Sequence, residues 1–174
     1  MILAVGNKVV YPCQGPCRIG RIVKRDINGT LIRFYQLVIL GDGGGELYVP
    51  VDKAQSIGVR LLLERAEIPK LLEQLERTAS TGGNGRQQDM DNLSRFSSGS
   101  PFDLAKIVES LTGLKEKKAL TISQSRTLEK ARRLLICEIS EVLEETKEVA
   151  EGQLDQALKA RKAESEPVLK AAEA

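Results

Sequence analysis

The chain has no histidine and no tryptophan, three cysteines, and only 3% aromatic residues among 174. Each shortage removes a class of chemistry. Without histidine there is no Ser-His-Asp or Cys-His pair to activate a nucleophile, and no histidine-containing zinc site. Three cysteines fall one short of an all-cysteine structural zinc site within a single chain. Cys13 and Cys17 stand close together in a Gly/Pro-rich turn and Cys137 is distant, which suits small structural thiols of a reducing compartment. A redox pair, or a metal shared between two chains, stays open as an alternative. No segment approaches the roughly 18 consecutive apolar residues of a membrane span. The start, MILAVGNK, has neither a basic n-region nor a long enough apolar run for a signal peptide. The chemistry left points to a cytoplasmic, non-enzymatic protein with no cofactor and no metal.

What is present is unevenly distributed. Residues 1–58 carry seven Lys/Arg against four Asp/Glu, and residues 121–136 carry four against one. Residues 137–174 reverse the balance, with five basic against ten acidic. A weakly basic body with an acidic end suits a component of a protein–nucleic acid complex better than a free, tight DNA binder.

The first 58 residues show strand patterns cut by Gly and Pro: Lys8-Val9-Val10-Tyr11-Pro12, Ile19–Asp26, the apolar run Phe34-Tyr35-Gln36-Leu37-Val38-Ile39-Leu40, and Tyr48-Val49-Pro50-Val51. Proline cannot donate to a ladder, and glycine admits turns closed to other residues. Asn28-Gly29 is the strongest hairpin signal, because a type I′ turn needs positive φ at both central residues. On simple alternation, Ile19, Arg21, Val23 and Arg25 share one parity, and Ile22 and Lys24 the other. Gly41–Gly45 lacks the Gly-Lys-Ser/Thr ending and the following helix of a phosphate loop, so it is expected to be a hairpin loop. Short, twisted, punctuated strands are those of a small β-barrel.

Helical spacing follows. Val59, Leu62 and Leu63, then Ile68, Leu71, Leu72 and Leu75, recur at helical intervals, with Pro69 tolerated in a first turn. Thr78–Arg86 is small, polar and Gly-rich, and is expected to be the linker between domains. Ser100-Pro101-Phe102-Asp103 is a helix start with a serine N-cap, proline at N1 and an acid at N3. Thr121-Ile122-Ser123-Gln124 is a capping box opening the longest expected helix, 121–146. Its Leu128, Ala131, Leu135, Ile139 and Val142 fall within about 80° of arc. The expected organisation is a β module over 1–58, connecting helices over 59–77, a linker over 78–86, a helical domain over 87–150, and a frayed or disordered tail over 151–174. The fold class is α+β: a small Tudor/SH3-like barrel followed by an α-helical bundle.

Three separated motifs carry a family resemblance: Val9-Val10-Tyr11-Pro12 with Gly15, Val49-Pro50-Val51 before Gly58-Val59-Arg60, and Leu120-Thr121 followed by Arg126, Leu128 and Lys130-Ala131-Arg132. In that order they resemble the CarD/CdnL family of bacterial transcription regulators, over residues 1 to about 145. The resemblance implies a barrel that adds an edge strand to the lobe/protrusion region of the RNA polymerase β subunit, a case of β-augmentation. Arg25 falls where the family carries a polymerase-contacting arginine. Tyr48 occupies the other contact position, and Ile27 is placed in the same polymerase-binding set. The helical domain is implied to lie near promoter DNA at the upstream edge of the bubble, contacting it weakly. Arg126, Lys130 and Arg133, at i, i+4 and i+7 opposite Leu128, Leu135 and Val142, form a basic ridge suited to tracking phosphates. Arg132 and Arg86 complete the expected DNA-binding set.

The chain departs from the family at one position. The family's helical domain inserts a tryptophan wedge into the minor groove, and the alignment places it near Gly85, where this chain has none. Two readings therefore stand side by side. One is a polymerase-docked regulator that contacts DNA, the other a polymerase- or protein-binding adaptor that does not. A thiol enzyme using Cys13 and Cys17 is the third and least supported.

Overall fold

The computed structural model describes residues 3–41, 43–77 and 85–172, and of residues 85, 86 and 162–172 it describes the backbone. The described chain forms two compact units, one through Leu62 and the other from Leu63.

The first unit is an antiparallel five-stranded sheet: β1 (Lys8–Tyr11), β2 (Gly15–Ile27), β3 (Thr30–Ile39), β4 (Glu46–Pro50) and β5 (Arg60–Leu61). Their order is β4-β3-β2-β1-β5, which leaves β4 and β5 at the edges. Asn28 (φ 55°) and Gly29 (φ 80°) make the turn that the Asn-Gly pair requires, and the Gly29 N–H donates to Asp26 Oδ1 at 2.8 Å. Gly41 and Gly43–Gly45 lie between β3 and β4, where the Ile39 N–H donates to Gly45 O at 3.0 Å. Val9, Cys17, Ile19, Tyr35, Leu37 and Val49 fill the core. Tyr35 is the only aromatic among its fully buried members, and its hydroxyl donates to Leu3 O at 3.0 Å.

Simple alternation fails at one place. The β2–β3 register pairs Ile19 with Leu37 but Arg21 with Gln36, so a bulge at Gly20 absorbs one residue. A bulge of one residue flips everything after it to the other face. Ile19 therefore points into the core, while Arg21, Val23 and Arg25 stand on the outer face.

Two further expectations are corrected here. Val59, read with Leu62 and Leu63 as helical spacing, is buried in the β core after the one-turn helix α1 (Ala54–Ile57), and Arg60–Leu61 pairs with β1. The unit boundary thus falls at Leu62/Leu63 rather than within 78–86. Residues 78–84 of the expected linker lie outside the described residues; they join α2 (Ile68–Glu76) to α3 (Gly85–Ser98), both in the second unit.

That unit continues with α4 (Pro101–Lys117), α5 (Ile122–Leu143) and α6 (Lys147–Ala172). Helix α4 starts at Pro101 with Ser100 at the N-cap position, though the Ser100 side chain makes no capping bond. The Thr121/Gln124 capping box is complete: Gln124 N–H donates to Thr121 Oγ1 at 3.2 Å and Thr121 N–H to Gln124 Oε1 at 3.1 Å. Ile68, Leu71 and Leu75 of α2 join Leu104, Ile107, Leu111, Leu135, Ile139 and Leu154 in one aliphatic core. The second half of α5 is buried on nearly all sides, beyond the single stripe its spacing suggested. Glu138, 2% exposed, is held there by accepting the Leu63 N–H at 3.1 Å.

The expected frayed tail is instead helix α6. Ala150, Leu154, Ala157 and Leu158 recur at helical spacing and bury against the core, so packing overrides the low apolar content of this segment. Arg161, 4% exposed, crosses α4: its guanidinium donates to Glu109 O at 3.2 Å and to the Glu116 carboxylate at 2.9 Å. Gly113 leaves the room, since a Cβ there would stand 3.0 Å from the guanidinium.

Candidate functional site

The outer face left by the Gly20 bulge carries the first candidate surface. Arg21 of β2, Gln36 of β3 and Tyr48 of β4 lie in register across three strands. The Arg21 Nε–H donates to Gln36 Oε1 at 2.8 Å, and the Tyr48 hydroxyl donates to Glu46 Oε2 at 3.1 Å. The Gln36 side chain also faces the Glu46 carboxylate. The Gln36 amide, then the Tyr48 hydroxyl and the nearby Arg21 charge, hold Glu46 below the usual carboxylate range. The Arg25 side chain reaches back over β3, and its Cζ lies 4.3 Å from the centre of the Tyr48 ring. A cation over a ring face is attracted by the ring's quadrupole, an interaction that consumes no N–H donor. Among the described residues the Arg25 guanidinium makes no hydrogen bond and no ion pair.

The structure therefore brings Arg25 and Tyr48 together. Ile27 lies near the tip of the same hairpin, 43% exposed, where β2 and β3 run beyond their pairing with β1 and β4. Sequence reasoning missed Gln36, Glu46 and Arg21. The available signal was a lone amide inside the apolar run 34–40, since a polar residue in a buried strand needs partners.

The second candidate surface is on α5. Arg126, Lys130 and Arg133 are all exposed, as helical spacing implies. Lys130 Nζ sits 5.2 Å from the centre of the Phe96 ring on α3. Arg132 departs from the group: its guanidinium is 2.6 Å from Asp155 and 3.6 Å from Glu151, both on α6. It ties two helices together, and its charge is spent internally. Arg86 stands in the first turn of α3, and its side chain lies outside the described residues.

Cys17 is held as an unreactive thiol. Cys17 is buried in β2 and directs its thiol at Gly15 O, 3.5 Å away. Burial pushes its pKa up to about 11 against the weaker pull of a backbone bond, which disfavours the thiolate that nucleophilic or redox work needs. Cys13 sits in the β1–β2 turn at φ 64°. Among the described residues no cluster of three or more His, Cys, Asp or Glu is placed to hold a metal ion.

Comparison with known proteins adds three findings. The family model described as "CarD-like/TRCF RID domain" matches residues 3–61, and that described as "CarD, C-terminal domain" matches residues 67–155. The two matches fall on either side of the boundary between the compact units. The solution NMR structure of the 72-residue N-terminal domain of Myxococcus xanthus CarD is 39% identical over 34% of this chain and 77% of that one, with a TM-score of 0.29.

Proposed function

The chain belongs to the CarD family, and from that premise we propose that it regulates transcription by docking its β module on the RNA polymerase β subunit and bringing its helical unit to promoter DNA. A transcription-associated role follows from the family itself. The chain is read as acting without catalysis, in the cytoplasm and on the nucleoid through polymerase. Among the described residues no helix is long and apolar enough to cross a membrane.

One observation carries the docking reading: β4 is an edge strand, and beside it Arg25 stacks on Tyr48 with its N–H donors unspent. An edge strand offers a row of unpaired backbone groups to a partner strand, and neighbouring side chains then select the partner. Tyr48 supplies a rigid plate, Arg25 a directional donor, and Ile27 an apolar contact near the hairpin tip. Calorimetric titration of the isolated β-subunit lobe with the full chain should give a saturable isotherm. No binding to the lobe or to core polymerase would remove this reading.

For the helical unit, the exposed Arg126, Lys130 and Arg133 support sequence-independent phosphate contacts. Such contacts are weak in isolation, and docking on polymerase raises their effective concentration into the ~mM range. The adaptor reading, without DNA contact, is favoured by two specific facts: the chain has no tryptophan, and Arg132 is engaged by Asp155 and Glu151. The half-life of a promoter open complex separates the two. The regulator lengthens or shortens it at low salt; an adaptor leaves it untouched.

A further inference from the structure

We propose that Gln36 is the positioning residue of the β-module docking surface, acting on Arg25 through Glu46 and Tyr48; the proposal rests on the docking role given above. Gln36 is 7% exposed although it lies on the outer face of the sheet, in register between Arg21 and Tyr48. A buried amide must satisfy both its ends. Its oxygen accepts the Arg21 Nε–H at 2.8 Å, and its side chain meets the Glu46 carboxylate. Glu46, so held, accepts the Tyr48 hydroxyl at 3.1 Å and fixes that end of the ring. The ring is then a set plane, and Arg25 lies on it at 4.3 Å.

The links alternate across three strands, from β2 through β3 to β4 and back to β2. A free arginine samples many rotamers, and ordering it on binding costs affinity. An arginine already held over a fixed ring has met most of that cost in the free protein. The Gly20 bulge makes the arrangement possible, because without the register shift between Ile19 and Arg21 the residues Arg21 and Arg25 would stand on the core face.

Two measurements on the full chain test this. Gln36→Met removes the amide that bonds Arg21 and faces Glu46, with an unbranched side chain of similar length, and Glu46→Ala removes the next link at an exposed position. By NMR, side-chain protons of Arg25 above the Tyr48 ring are expected to resonate upfield through the ring current. Both substitutions should abolish that shift. Arg25 shifts unchanged in both variants overturn the proposal, whether or not polymerase binds. In titrations of the β lobe, Gln36→Met should weaken binding on the order of tenfold, and should add nothing in an Arg25→Ala background. An equal loss in both backgrounds means that Gln36 supports the strand only, and also overturns it. If Gln36→Met fails to fold, Glu46→Ala carries both arms. If the wild type does not bind the lobe, the docking reading falls, while the NMR arm still decides the positioning claim.

Discussion

Arg25 in the β module and Arg132 in the helical unit both stand in the sets expected to meet a partner, and their surroundings treat them in opposite ways. Arg25 lies on the Tyr48 ring and keeps its N–H donors free among the described residues. Arg132, part-buried, spends its guanidinium on Asp155 and Glu151 of α6. A ring over a cation leaves the edge donors available, whereas two carboxylates use them up. The type of residue sets what a position can do; what packs beside it decides whether that capacity faces inward or outward.

The largest expected effect follows from Arg25. Arg25→Glu should lower affinity for the isolated β-subunit lobe by about 2 kcal/mol, roughly thirtyfold, as expected for reversing a charge beside a strand-pairing edge. Arg132→Glu should leave that affinity unchanged. Calorimetry giving equal losses for the two would break the comparison.

Next in size is the helical unit. Reversing Arg126 and Arg133 together should lower open-complex stability on a linear promoter. The salt dependence of that effect should fall by a slope of about 0.9 for each phosphate no longer neutralised. Arg132→Ala should leave the half-life alone and lower the stability of the helical unit by about 1 kcal/mol, since its bridge is only part-buried. Half-lives at two salt concentrations, paired with denaturant melts, separate these outcomes. An Arg132 variant that alters the half-life would return it to the DNA-facing group.

The smallest effect is a difference of sign with pH. Glu46 is held below its ordinary value of 4.5 by Gln36, Tyr48 and Arg21. Its contribution to the outer-face network is therefore present above pH 4.5 and lost as pH falls through the lowered folded value. Burial raises Glu109 above 4.5, against the opposing pull of Arg161, Arg95 and Lys106. Its contribution is present below 4.5 and lost as pH rises through the raised value. Carbon-detected NMR titration of the two carboxyl groups should show midpoints on opposite sides of 4.5. Midpoints on the same side would mean that the two environments do not differ as described.

The exposed ridge was legible because helical spacing is local: once α5 forms, Arg126, Lys130 and Arg133 lie opposite Leu128 and Leu135 whatever surrounds them. Arg25 and Tyr48 were reached only through the family resemblance, as two separate contact positions, and the structure alone brings the two side chains together. Alternation placed Arg25 on the same face as Ile19, and the bulge at Gly20 reversed this. Gln36 and Glu46 carried no spacing signal, because their partnership depends on which strands become neighbours.

What the sequence by itself determined was set by short-range geometry. Asn28-Gly29 made the hairpin, Pro101 and the Thr121/Gln124 box opened their helices, and the ordered motifs assigned the family. Tertiary structure alone decided the rest. It moved the unit boundary to Leu62/Leu63 by drawing Val59 into the β core and α2 into the helical one. It turned an Ala/Glu/Lys-rich tail into α6, and gave Arg132 to that helix. The physical reason is common to all of these. Turn and cap preferences are fixed by a few adjacent dihedrals, whereas burial and ion pairing are fixed by residues tens of positions away that only the folded chain brings within reach.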